Sequence, residues 1–362
     1  MTDSISTPAA KRFRVQTRTR VSTVTVIVGI AVFALLAAAP AFVSRSVIQD
    51  LFFVLTMLAL AQYWNLLAGY AGLVSVGQQA FVGIGAYTLF AFTILTGTNA
   101  LVAIFLAGFV AMILAIPTAL VIFRLRGAYF AIGTWVAAEV FRLLAAQWKT
   151  LGGGTGTSLP RSATRDIWGI EFIKDLFGAK TSAAKDIEAY WLALLVAAGT
   201  IVLVYVLLRS RFGLALSAIR DSEPAAGSLG VRNFRTKLWI FIIASFGTGI
   251  TGALVLFQKA RISPDAAFSV IDWTAFVVFI VVIGGIGTIE GPIIGVIIFY
   301  VLQNYLADYG TWYLMLLGAL ATVVMLVAPQ GLWGLMVKHY DLHLFPVRRR
   351  LFVNKHGQDK DG

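Results

Sequence analysis

Residues 100–123 read ALVAIFLAGFVAMILAIPTALVIF, an unbroken apolar stretch closed by Arg124-Leu125-Arg126. A helix crossing the ~30 Å hydrocarbon core of a bilayer needs roughly 20 apolar residues, so this stretch alone is long enough to span. Comparable stretches lie at 23–43, 51–68, 73–96, 128–147, 190–208, 238–257, 273–289, 292–308 and 311–328. The expected fold class is therefore all-α: a polytopic membrane protein with about ten transmembrane helices. Composition agrees, because 59% of the 362 residues are hydrophobic and only 13% charged, whereas soluble domains carry about 25% charged residues.

The charges fix an orientation. Five basic residues precede the first span (Lys11, Arg12, Arg14, Arg18, Arg20), Arg124 and Arg126 follow the fourth, six lie between Arg209 and Lys237, and six lie in the C-terminal tail. Placing all four groups in the cytoplasm obeys the positive-inside rule, which puts both termini inside and makes the number of crossings even. The net charge of +12 then reports topology and attraction to anionic membrane lipid, and nucleic acid is not an expected partner. The organisation expected is a basic cytoplasmic tail over 1–22, a transmembrane domain over 23–334 and a second basic tail over 335–362. Within the transmembrane domain lie an outer loop, 148–188, and a cytoplasmic loop, 209–237. The first span is longer than the roughly 7–15-residue apolar core of a signal peptide, so it is expected to be retained.

Glycine marks the irregular places. Gly69, Gly72, Gly77, Gly83 and Gly85 make 69–87 a poor continuous helix, and broken backbone at membrane depth survives only where protein or a water-filled cavity covers it. Gly284-Gly285-Ile286-Gly287 reads as a tight turn, with Gly287, Gly291 and Gly295 at a four-residue spacing that suits close helix packing.

Several chemistries are excluded or disfavoured. Zero Cys rules out disulfides, iron–sulfur clusters and thiolate zinc sites. No G-x-x-x-x-G-K-[ST] loop occurs, and Gly152–Thr157 lacks the lysine that a phosphate loop needs. His339, His343 and His356 all fall in the tail, without a third ligand for zinc. No cofactor, metal or enzymatic activity is expected. Among ionisable residues inside spans, Glu139 and Arg142 stand i,i+3 on one helix face, which fits either a mutual ion pair or part of a solute path. Asp308 and Glu290 are expected at the membrane interface.

The cytoplasmic loop is not a plain turn. Ala215, Leu216, Ala218 and Ile219 form an apolar stripe, Arg211, Arg220, Asp221 and Glu223 a charged margin, and Pro224 suits the first turn of a new helix. Such an amphipathic helix pair can lie in a partner's groove or on anionic lipid.

Within it, Glu223-Pro224-Ala225-Ala226 followed by Gly230 resembles the EAA-x-x-x-G coupling loop of ATP-binding cassette importer permeases, with an inserted proline. The longer stretch GLALSAIRDSEPAAGSLGV (213–231) is similar to that loop in the branched-chain amino acid permease family, of the LivM type. Three other stretches agree: WNLLAGYAG (64–72) running into LVSVGQQAFVGIGAY (73–87), LRGAYFAIGTWVAAEVFRL (125–143), and PQGLWG (329–334). The likeness covers roughly residues 50–335. It departs from the family at the doubled Gln78-Gln79 and, relative to other importers, in lacking an Ile-x-Leu-Pro segment after Gly230.

The resemblance implies a permease subunit of the bacterial inner membrane. Its implied partners are a second homologous permease, two cytoplasmic ATPase subunits and a periplasmic solute-binding protein. It implies that Gly213, Arg220, Asp221, Glu223, Ala225, Ala226 and Gly230 form the ATPase-coupling loop. Candidates for the translocation path are Ser75, Gln78, Gln79, Tyr129, Thr134 and Glu139, which hydrogen bonding between neighbouring helices would equally explain. Related members of the family carry urea or amides. A self-contained carrier using Glu139 as an ion site is the reading from a different class.

Overall fold

The computed structural model describes residues 13–16, 20–160, 168–178, 180–306, 309–328, 330–340, 344–345 and 350–353. Asp308, Pro329, His343 and His356, and most basic residues of the two tails, lie outside the described residues.

The membrane-length helices are α1 (Arg20–Ala38), α2 (Arg45–Asn65), α3 (Gln78–Leu95), α4 (Ala100–Ile122) and α5 (Ala128–Ala146). After a short surface helix, α6 (Ile170–Phe177), comes α7 (Thr181–Arg209). Two loop helices, α8 (Arg211–Asp221) and α9 (Glu223–Ser228), lead to α10 (Asn233–Lys259). The rest comprises α11 (Pro264–Ala267), α12 (Phe276–Gly284), α13 (Glu290–Leu306), α14 (Thr311–Val327) and α15 (Gly331–Tyr340). Among the described residues, nine helical segments are long and apolar enough to cross a membrane, and α13 is a shorter apolar one. The fold is an all-α polytopic membrane bundle.

Lipid tails are as apolar as leucine, so helices in a membrane associate by packing and hydrogen bonding rather than by the hydrophobic effect. Small residues decide where that packing is closest. A Cβ added to Gly85 of α3 would sit 2.0 Å from the carbonyl oxygen of Gly249 in α10, and one on Gly252 would sit 2.3 Å from that of Val82. Gly249 in turn abuts Ala111 of α4. The backbones of α3, α4 and α10 are thus as close as helices can lie, and α2 joins them where Gly247 meets the Tyr63 ring. Peripheral α1 is held by two bonds near one end, Tyr190 Oη to the Leu36 carbonyl (2.6 Å) and Trp191 Nε1 to that of Ala37 (3.0 Å).

One end of the bundle collects the basic segments. Phe123, beside Arg124, stacks edge-on against Phe234 at the start of α10, and Phe345 packs on Tyr205 near the end of α7. Strand β1 (Phe13–Gln16) pairs antiparallel with β4 (Arg350–Val353), so the first and last described segments meet. At the opposite end, β2 (Thr157–Ser158) pairs with β3 (Arg261–Ile262) beside tight turns at Gly152–Thr155.

Two expectations are corrected. The irregular segment is narrower than 69–87: a π turn over Leu66–Tyr70 and an extended link end at Gly77, and α3 runs unbroken through Gly83 and Gly85. Those two glycines are there for contact, with Phe268 and Gly249, and do not break the helix. The segment after Ala146 is shorter than 148–188, because α7 begins at Thr181; Asp186, read as loop, is buried and accepts hydrogen bonds from Gln49 and Gln258 besides its ion pair with Arg45. Glu290 stands at the first turn of α13, as expected of a residue at a span end, and is buried there, with Oε1 accepting from the Phe345 N–H at 3.0 Å.

Candidate functional site: the loop helices and the junction above them

The loop folds as two helices because each has its own cap. The Ser210 hydroxyl accepts from the Phe212 N–H (3.1 Å) to start α8, and Ser222 caps α9 toward Ala225, with Pro224 in its first turn. Capping by serine satisfies N–H groups that a helix start otherwise leaves unpaired. Helix α8 buries Gly213, Leu216 and Ile219 against the bundle, with Gly213 pressed on the Leu208 backbone. Its other side exposes Phe212 and Leu214, the latter 68% accessible, and Leu229 beyond α9 is 81% accessible. Asp221, Ala225 and Gly230 are likewise exposed, and Ala226 is buried.

Two of the charged loop residues turn back to the bundle. Glu223 pairs with Lys237 of α10 (2.7 Å), and its backbone carbonyl accepts from Asn233 Nδ2 (2.7 Å). Arg220 donates from Nη1 to the carbonyl of Gly69, in the π turn that follows α2, at 3.1 Å. Gly230 adopts φ +84°, a left-handed conformation that favours glycine.

That π turn sits against the link between α12 and α13. Asn65 holds the link by both ends of its amide: Oδ1 accepts from the Gly287 N–H (2.8 Å) and Nδ2 donates to the Thr288 carbonyl (2.7 Å). Gln62 Nε2 donates to the Ile289 carbonyl at 2.7 Å. Gly69 and Gly287 meet backbone to backbone, for a Cβ on Gly69 would lie 2.6 Å from the Gly287 nitrogen. Gly287 itself has φ +76°. Sequence reading does not single out Gln62 and Asn65, although two polar residues three apart in an apolar span are the signal that marks them.

The candidate path residues divide into two sets. Ser75, Gln78, Gln79 and Thr134 are buried around the link from Leu73 to Gly77. Thr134 Oγ1 accepts from the Val76 N–H (3.0 Å), Trp64 Nε1 donates to the Ser75 carbonyl (2.8 Å), Gln78 Nε2 donates to the Leu60 carbonyl (2.9 Å), and Gln79 Oε1 accepts from Thr274. The cavity beside Ser75 and Gln78, about 10 Å³, is no larger than a single water. Tyr129 and Glu139 are not brought there; both sit on the exposed flank of α5. The Glu139–Arg142 pair is present, at 2.6 Å, and extends to a third member, Asp265 of α11, at 2.7 Å. That flank also exposes Ile132, Trp135, Val136, Val140, Leu143 and Leu144.

Residues 47–329 match the family described as "Branched-chain amino acid transport system / permease component". The chain is 30% identical over 316 residues to the high-affinity branched-chain amino acid transport system permease protein LivM of Escherichia coli (strain K12), covering 84% of this chain and 73% of that protein. Against the protein of the same name from Salmonella typhimurium it is 30% identical over 306 residues, covering 81% and 71%. A probable branched-chain amino acid transport permease protein LivH of Methanocaldococcus jannaschii is 27% identical over 141 residues, covering 36% and 44%. No solved structure matches.

Proposed function

Given that this chain belongs to the branched-chain amino acid transport system permease family, we propose that it is the membrane-spanning subunit of an ATP-driven importer of branched-chain amino acids, in the bacterial inner membrane with both termini cytoplasmic. It works with a second permease of the same family, two ATPase subunits and an external binding protein. The observation that carries this reading is the loop itself: two capped helices, anchored to the bundle by Arg220 and Glu223 while presenting Phe212, Leu214 and Leu229 outward at the basic end. Exposed apolar anchors on a short helix pair are what a groove on a partner receives.

The energetic logic follows from what the sequence lacks. With no phosphate-binding loop, this chain cannot draw on ATP by itself, and Glu139 is engaged with Arg142 rather than free as an ion site. Work must arrive as a change in contacts from a partner. Closure of the ATPase pair shifts the bundle between inward- and outward-facing states only if the loop's contacts differ between them. The second permease is assigned to the exposed flank of α5, where a carboxylate and a guanidinium would otherwise face lipid at a cost of a few kcal/mol.

The test pairs Leu214→Asp with Leu229→Asp. The double variant should insert and fold, yet retain about a hundredth of the co-purifying ATPase, as expected when two interface anchors are lost. Full retention of the ATPase would overturn the assignment of the loop, and uphill uptake by this chain alone under an ion gradient would overturn the importer reading.

A further inference from the structure

One cation of the loop is divided between its surface and the bundle: Arg220 lies 3.7 Å from the Asp221 carboxylate through Nε and bonds inward through Nη1. Arg220 stands at the end of α8, one residue before the exposed Asp221, yet its Nη1 reaches inward to the Gly69 carbonyl. That carbonyl belongs to the π turn, where the widened helix leaves backbone oxygens available, and a guanidinium suits such an acceptor because its charge strengthens the bond. A Cβ on Gly287 would lie only 3.3 Å from the same nitrogen. Arg220 therefore bonds the π turn directly and lies beside the α12–α13 link. Asn65, four residues before Gly69, ties the turn and the link together through the Gly287 N–H and the Thr288 carbonyl.

We propose that Arg220 is the positioning residue that carries loop movement into the membrane: α8, the π turn after α2 and the α12–α13 link move as one body because Arg220 and Asn65 connect them in series. This rests on the loop being the ATPase contact. The exposed apolar residues receive the push, and Arg220 delivers it. The consequence for the path is direct, since the chain runs from the π turn through Ser75 to Gln78, the first residue of α3. A shift of the π turn pulls on the buried link held by Thr134 and Trp64. A strut of this kind has to be short, strong and specific, whereas a contact residue needs only to be exposed.

The experiment uses the complete transporter in proteoliposomes and reads solute taken up per ATP hydrolysed. Arg220→Ala should keep its ATPase subunits but lose about tenfold in that ratio, the scale of one charge-assisted hydrogen bond. Arg220→Lys should recover part of the loss, because an ammonium still donates to the Gly69 carbonyl. Asn65→Ala should lower the ratio as Arg220→Ala does, and the double variant should fall no further than the lower single, the sign of two links in one chain. Release of the ATPase by Arg220→Ala, an unchanged ratio, or losses that multiply in the double variant would each overturn the strut.

A second measurement does not depend on transport. The chain lacks cysteine, so spin labels at Ser217→Cys and Ile286→Cys report the distance between α8 and the α12–α13 link. In the otherwise unaltered chain this distance should stay within about 2 Å between nucleotide-free and ATP-bound complexes, a small shift on the scale of helix motions. In Arg220→Ala it should change by more. A distance that changes in the unaltered chain, or that holds constant in both, would overturn the proposal. A loop that fails to retain the ATPase would instead show in the Leu214 and Leu229 variants.

Discussion

Helices α10 and α14 look alike as strings of letters and behave as opposites. Each is apolar, long enough to cross, and contains glycine. In α10, Gly247, Gly249 and Gly252 each meet a neighbour's ring, side chain or backbone, and most of the helix is buried; in α14, Gly318 has nothing within 4 Å and most of the helix is exposed. Hydropathy reports that a segment suits the bilayer, and it is blind to whether the neighbour is protein or lipid. What separates the two is the spacing of small residues, because only they let backbones approach.

The sharpest way to break that comparison is to fill a contact glycine. Gly252→Leu places its Cβ 2.3 Å from the Val82 carbonyl, against backbone that cannot rotate aside. Overpacking of this kind costs about 3 kcal/mol or more, so the variant should be lost as aggregate in detergent size-exclusion chromatography. Gly318→Leu, into open space, should elute as the unaltered protein does. Equal behaviour of the two variants would mean that the α3–α10 contact does not hold the bundle together.

A smaller effect separates two exposed helices from each other. Both α1 and α5 are mostly accessible, and α5 carries an ion pair on its open flank, along with Trp135. If the second permease covers α5 while lipid covers α1, then Trp135→Ala should weaken assembly of the two permeases by about 2 kcal/mol, roughly thirtyfold. Ile27→Ala should leave assembly unchanged. Quantitative co-purification of the two permeases at graded dilution measures both, and equal effects would place the partner elsewhere.

How much of this was legible beforehand depended on whether polar residues had partners. The crossings are plain in the sequence, and so is the break near Gly69, because a cluster of glycines interrupts apolar residues there. The start of α7 is hidden: Lys185, Asp186 and Glu188 read as a solvated loop, yet all three lie in a helix, where Asp186 is buried among Arg45, Gln49 and Gln258. Gly83 and Gly85 mislead in the other direction, since a glycine that breaks a helix and one that lets another helix approach are the same letter. The junction at Gly287 was half visible. Its tight turn follows from the glycines, but its clamp is made by Asn65, more than two hundred positions earlier in the chain, and nothing local to either segment points to the other. The loop's amphipathic helices were readable from their apolar stripe and from Pro224, whereas their serine caps and the inward reach of Arg220 come from the structure.

The smallest expected change in stability is the most informative about the path. Arg142 is shared, bonding Glu139 through Nε and Nη2 and Asp265 through Nη1. Replacing Glu139 with glutamine removes one of two anions, leaves the guanidinium paired, and keeps a side chain of nearly the same shape. Arg142 keeps the Asp265 carboxylate at 2.7 Å, so no unpaired charge is left behind and the melting temperature should barely move. Any fall in uptake then cannot be blamed on unfolding. If the α5 flank lines the passage between the two permeases, Glu139→Gln should lower uptake severalfold at an unchanged melting temperature, because a charge facing the passage orders the water and solute beside it. Uptake kinetics identical to those of the unaltered protein would reduce the pair to a brace between α5 and α11, and would move the search for the passage to the buried set around Ser75 and Gln78.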